Sequence, residues 1–126
     1  MLKNLTVLYV EDDKLTRQLT KMALENLVKK VYLAKDGMEG LKLYQEISPN
    51  IVLTDMYMPK MNGLEMSQKI KELQPEQVIG LFTGDAKNTI SQNYSLHTID
   101  TYLVKPLSRK QFLNSLNYLS ELALSQ

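Results

Sequence analysis

No cysteine occurs anywhere in the 126 residues. That absence removes a disulfide framework, a thiolate nucleophile and thiolate metal ligation together, and it agrees with a reducing compartment. Charge of one sign is lacking as well. With 15 basic and 14 acidic groups the formal net charge is only +1, so no summed field favours nucleic acid or an anionic membrane. No local basic patch stands out. No apolar run approaches the roughly 20 residues that a membrane span needs, and no basic region followed by an apolar stretch and a cleavage site opens the chain. Repeats and biased tracts are missing, and 44% hydrophobic with 23% charged residues is an ordinary globular composition. These absences predict one cytoplasmic domain over residues 1–126, long enough to bury a real core. The chemistry left to it must come from carboxylates, hydroxyls, lysine and the single His97.

Five short apolar runs, near residues 5–10, 31–34, 50–54, 78–82 and 101–104, alternate with stretches whose apolar residues recur at helical spacing. That alternation predicts an α/β fold. Leu15, Leu19, Met22, Ala23 and Leu27 stand at i, i+4, i+7, i+8 and i+12, so the first intervening segment is expected to be a long helix packed on the sheet through this stripe. The last segment carries Phe112, Leu116, Leu119 and Ala123 on one face and opens with Ser108 three residues before Gln111, a capping-box spacing. Asp36-Gly37, Pro49-Asn50, Asn62-Gly63 and Gly84-Asp85 mark boundaries, where Gly and Asn tolerate positive φ and Asp caps helix starts. Parallel strands joined by helices require right-handed crossovers. The expected architecture is therefore a flavodoxin-like doubly wound sheet of five parallel strands, order 2-1-3-4-5, with five helices. Nothing reads as an interdomain linker, and Ser125 and Gln126 after the last helix fit a natural end or a cut at a domain boundary.

Charge collects where three of these strands stop. Glu11, Asp12 and Asp13 follow LTVLYV, Asp55 ends NIVLTD, and Lys105 follows DTYLV. In the 2-1-3-4-5 order strands 1 and 3 are neighbours at the switch point, and ligands bind beyond the carboxyl edge there. Glu11, Asp12 and Asp55 are thus expected to converge in one acidic pocket. Crowded carboxylates are relieved by a bound cation, a raised pKa or solvation at a rim. A divalent cation is the most economical of these, and an all-oxygen ligand set favours Mg²⁺ over Zn²⁺. Since Mg²⁺ typically takes one or two carboxylates, several waters and a phosphate oxygen, the missing ligand points to a phosphoryl substrate. Asp55 can attack phosphorus to give an acyl phosphate. Thr83, ending GLFT, offers a hydroxyl and Lys105 a positive charge for the developing phosphoryl oxygens.

VEDD after strand 1, DMYMPKMNG around Asp55, TG after strand 4 and KP after strand 5, in this order and spacing, resemble the receiver domain of two-component response regulators. The resemblance covers essentially the whole chain. It implies a signalling switch and not a turnover enzyme, with Asp55 accepting phosphate from a histidine kinase or phosphotransfer protein. It implies that Glu11 and Asp12 support Mg²⁺, with Asp12 the direct ligand of the two and the backbone carbonyl of Tyr57 a further ligand. Thr83 and Lys105 would contact the phosphoryl group, and Tyr102 would turn inward as Thr83 moves toward it. The output face would comprise the fourth helical segment, the fifth strand and the final helix, roughly residues 86–122. That face would control a separate protein, a covalently linked output domain or a phosphorylation-dependent dimer, and the domain itself would touch neither nucleic acid nor membrane. Glu11 stands where many receivers have Asp, which bears on the contacts around the ion and not on function. Tyr57 and Asp85 flank the path of an attacking water, and the bulk of Tyr57 is expected to slow hydrolysis of the acyl phosphate.

Each of these residues also has a plainer reading. A lone Asp at a strand end is most often a cap or turn former, and Asp13 is expected to be a helix cap favoured by the macrodipole. Thr83 can satisfy backbone groups at a helix start, Tyr102 can serve strand packing alone, and Lys105-Pro106 can be a solvated turn. His97 has no partner acid or second histidine at ligand spacing and reads as a surface loop residue. Met56, Met58 and Met61 are expected to pack under a loop. Two other function classes share part of the pattern. A flavodoxin-like electron carrier has the architecture, yet a flavin phosphate wants hydroxyls and N–H groups where this chain has three acids. A phosphohydrolase of the haloacid dehalogenase type also uses an aspartate nucleophile, but its D-x-D motif needs an acid where Tyr57 stands.

Overall fold

The five apolar runs become five parallel strands, β1 (Thr6–Val10), β2 (Lys30–Ala34), β3 (Ile51–Asp55), β4 (Val78–Thr83) and β5 (Thr101–Val104). Their spatial order is β2-β1-β3-β4-β5, as the doubly wound reading requires. A computed structural model describes residues 1–85, 87–89 and 98–126. Helices α1 (Lys14–Glu25), α2 (Gly37–Ile47), α3 (Gly63–Leu73) and α4 (Arg109–Leu124) belong to these residues. The expected fourth helical segment before β5 falls mostly outside them, as does His97. Among the described residues no helix is long and apolar enough to cross a membrane.

Period-two alternation splits the core between the sheet faces. Val7, Tyr9, Leu53 and Phe82 pack with Leu24 of α1 and with Leu116 and Leu119 of α4. Leu8, Val10, Val52, Ile79 and Leu81 pack with Tyr44 of α2 and with Leu64, Met66 and Ile70 of α3. Covering both faces makes β3 and β4 buried along their whole length, which is why they read as unbroken apolar runs. The face predicted for α4 is the one it buries, with Phe112 and Ala123 at the margin. Its Ser108–Gln111 capping box is present, and Asn62–Glu65 forms a second one on α3. Met56 is buried and Met58 and Met61 lie at the edge of the second core, as expected of packing residues.

Helix α1 departs from the expectation. Leu15, Leu19 and Met22 are 68%, 57% and 62% exposed, so most of the apolar stripe faces outward, while Leu24 enters the core and Leu27 at the end of the stripe packs against it. The cause is polar. The Arg17 guanidinium donates to the backbone carbonyl of Glu11 at 2.8 Å, and the buried Tyr9 hydroxyl lies 3.4 Å from the Thr20 hydroxyl. Partners for these groups fix the rotation of α1 against its own stripe, because buried polar groups go unpaired only at a cost of about 1–3 kcal/mol each. Backbone conformation departs too: positive φ occurs at Ser48 and Lys60 and at none of the glycines. Ser48 follows the last turn of α2, a position where a left-handed residue closes the helix.

Candidate functional site

Glu11, Asp12 and Asp55 leave adjacent strands at the same edge. The β1–β3 register pairs Val10 with Thr54, so the residues that follow each strand partner come level at the carboxyl end. One carboxylate oxygen from each of the three lies within 4.8 Å of the others. Glu11 and Asp55 are 3% and 8% exposed, whereas Asp12 is open to solvent. The amide of Glu11 donates to Ala34 O at 3.0 Å, which carries the β1–β2 ladder one residue into the site.

Lys105, just past β5, reaches back to this cluster. Its ammonium lies 2.6 Å from Asp55 Oδ1, and its backbone N–H donates to Thr83 O at 2.8 Å. Among the described residues Lys105 is the cation paired with this cluster of three carboxylates, and the excess negative charge shows on Glu11. Burial pushes the Glu11 carboxyl above its ordinary range, with the Asp55 charge and the neighbouring Asp12 adding to the rise, while the Asp13 amide and Lys105 oppose it. Both Glu11 oxygens already have protein donors, the Asp13 N–H at 3.1 Å and the Tyr9 hydroxyl at 3.4 Å. Burial likewise raises the Tyr9 hydroxyl. Asp13 has the separate role expected of it. It accepts from the Thr16 hydroxyl and N–H at 2.6 and 2.8 Å as the N-cap of α1, and those bonds hold its carboxyl below the usual range.

Thr83, ending β4, is 1% exposed. Its hydroxyl is 2.8 Å from the Thr89 hydroxyl and accepts from the Asp85 N–H at 3.1 Å. Tyr57 is 54% exposed and lines a cleft of about 420 Å³ with Asp12, Met58, Pro59, Lys60, Asn62 and Glu65. Tyr102, opposite Leu81 in the ladder, is half-buried against the second core. An all-oxygen donor set with uncompensated negative charge and a carboxyl pushed up by burial fits a hard divalent cation. Glu11, with both oxygens engaged, is suited to orient the surroundings of such an ion, while exposed Asp12 has room to bind it. Sequence reasoning missed Arg17, which anchors the carbonyl of Glu11, and Thr89, which meets Thr83. Spacing from the Asp13 cap could have flagged Arg17, since i+4 from a cap lies over the cap itself. No local signal marks Thr89.

The chain matches the family described as "Response regulator receiver domain" over residues 7–117. It is 32% identical to the sensory transduction protein LytT of Oceanobacillus iheyensis over 114 residues, covering 88% of this chain and 46% of that one. The chain spans about half the length or less of the first curated relatives it matches, at 46%, 38% and 48%. Among solved structures, a response regulator receiver domain protein from Clostridium thermocellum superposes with a TM-score of 0.84 at 27% identity, covering 97% of this chain and 99% of that one. The receiver domain of the sensor histidine kinase PA1611 of Pseudomonas aeruginosa shares the fold, with a TM-score of 0.81 at 21% identity and coverage of 92% and 97%; that structure holds a magnesium ion in its active-site cleft.

Proposed function

The chain belongs to the response regulator receiver domains of two-component signalling, and we propose that it is a Mg²⁺-dependent phosphorylation switch in which Asp55 is the phosphoacceptor. The observation that carries this reading is the convergence of Glu11, Asp12 and Asp55 oxygens within 4.8 Å, with Lys105 Nζ 2.6 Å from Asp55. Residues 1–126 act as a single receiver module. Asp12, Asp55 and the Tyr57 carbonyl would hold the ion, and Glu11 would orient its surroundings. When bound, Mg²⁺ supplies positive charge that offsets the carboxylates and the phosphoryl oxygens.

An Asp55 carboxylate oxygen attacks the phosphorus of a phosphohistidine on a histidine kinase or phosphotransfer protein. The new P–O bond forms as the P–N bond breaks, and the imidazole leaves with the electron pair. Catalysis of such transfers is mostly positioning and charge. Lys105 holds Asp55 and then meets a phosphoryl oxygen, and Thr83 swings toward the phosphoryl group with Tyr102 following it inward. One phosphoryl group is accepted and later lost, so the domain assists its own chemistry without turning over substrate. Rearrangement of the output face, roughly residues 86–122, is read in the cytoplasm by a separate protein, a linked output domain or a second copy. Val104 and Tyr118, 44% and 48% exposed on β5 and α4, support contact there.

Beryllofluoride, a phosphoryl mimic, tests the reading. Titration followed by amide NMR is expected to show binding with Mg²⁺ present and none after EDTA; binding indifferent to EDTA would contradict the metal assignment. Tyr57 supports a second prediction, because its exposed ring borders the cleft beside Asp12. Tyr57→Ala is expected to speed decay of the acyl phosphate several-fold, measured as loss of the phosphorylated mass with time. An unchanged or slower decay would remove Tyr57 as the shield.

A further inference from the structure

The Thr83 hydroxyl, which the proposed switch must move, is already engaged in this structure. Its Oγ1 accepts from the Asp85 N–H at 3.1 Å and lies 2.8 Å from Thr89 Oγ1. Both threonines are buried, at 1% and 0% exposure. A hydroxyl has one proton and two lone pairs, so one of the two donates to the other, and separating the pair strands a donor and an acceptor away from water.

We propose that Thr89 is a positioning residue, a latch that holds the Thr83 hydroxyl in the unphosphorylated arrangement and sets the threshold of the switch. The proposal rests on the phosphoacceptor reading of Asp55. Asp55 lies opposite Phe82 in the β3–β4 ladder, one residue before Thr83, so a phosphoryl group on Asp55 competes with Thr89 for the Thr83 hydroxyl. Going to the phosphoryl group, Thr83 leaves both its partners. Thr89 stands four residues after Asp85, whose carbonyl accepts from the Thr89 N–H at 3.0 Å and whose Oδ1 accepts from the Asn88 N–H at 3.3 Å. Loss of Thr83 therefore leaves a polar group unsatisfied inside the proposed output face. The same contact that resists activation carries the signal outward, because the backbone that carries Thr89 must rearrange to find it a new partner.

Thr89→Val removes the hydroxyl at nearly constant shape, and Thr89→Ser keeps it. With Mg²⁺, the Thr89→Val protein is expected to bind beryllofluoride about fivefold more tightly than wild type, the ratio that one net hydrogen bond represents. Thr89→Ser is expected to match wild type. In the ion-free protein without beryllofluoride, amide signals of Thr83 and Tyr102 in Thr89→Val are expected to move along the line that joins the wild-type resting and beryllofluoride-bound positions. If Thr89→Val melts below working temperature, Thr89→Ala carries the same comparison. Equal or weaker binding, or resting signals that stay at the wild-type positions, overturns the latch while wild-type binding leaves the phosphoacceptor reading intact. A wild-type protein blind to beryllofluoride overturns both.

Discussion

An Asp55→Asn protein incubated with acetyl phosphate and Mg²⁺ is expected to gain no phosphoryl group, while wild type gains one, read as intact mass. The exchange keeps the shape of the side chain and removes its nucleophilic charge, so uptake is expected to fall by at least about 100-fold. It also removes the ion pair of 2.6 Å with Lys105 and one of the charges that raise the Glu11 carboxyl. Those two changes oppose each other in stability. A partly buried ion pair is lost, yet three crowded carboxylates become two, and like-charge crowding at a functional site is a common local weakness. The variant is expected to stay folded, which makes the loss of uptake interpretable. Uptake at the wild-type rate would move the acceptor elsewhere and overturn the assignment of Asp55.

Much of this site was legible because strand length and strand-terminal charge are local facts. Asp55, Glu11, Asp12 and Lys105 could be brought together from the strand order alone, since the carboxyl edge of a parallel sheet is fixed by the direction of its strands. The caps at Asp13 and Ser108 were legible for the same reason, a short pattern within one turn. The orientation of α1 was not. Periodicity locates an apolar stripe but cannot weigh it against Arg17 and Thr20, whose partners lie on another element. Thr89 was hidden likewise, because its partner Thr83 depends on how the chain turns after β4. Lys60 rather than a glycine takes the left-handed backbone beside the cleft, with its ammonium 3.9 Å from Asp36. Turn composition gives no hint of that choice, since every neighbouring Asn and Gly looked the better candidate.

Gly63→Ala is expected to weaken both the fold and the site, whereas Gly84→Ala is expected to do neither. In an open helix position alanine would be favoured over glycine by roughly 1 kcal/mol. At Gly63, which opens α3, packing reverses the sign. Its N–H donates to Met56 O at 2.8 Å, and this close approach leaves no room for a side chain. A Cβ there would collide with the backbone oxygen of Asp55 and would come within 3.0 Å of the Asp55 carbonyl carbon and of Leu81 Cδ1. The first of these is backbone in a fully buried strand and cannot yield as a flexible side chain would. Overpacking of this kind destabilises by about 1–3 kcal/mol, a fall in Tm of roughly 5–15 °C for a domain of this size. The displaced atom belongs to the phosphoacceptor itself, so phosphoryl uptake is expected to drop further than the folded fraction alone explains. Among the described residues no atom lies within 4 Å of the would-be Cβ of Gly84, which has no positive φ, so its alanine variant isolates packing from loss of glycine as such. Calorimetry and acetyl phosphate labelling on the two variants decide the matter, and a Gly63→Ala protein with wild-type Tm and wild-type uptake would show that α3 can move away from Asp55 freely.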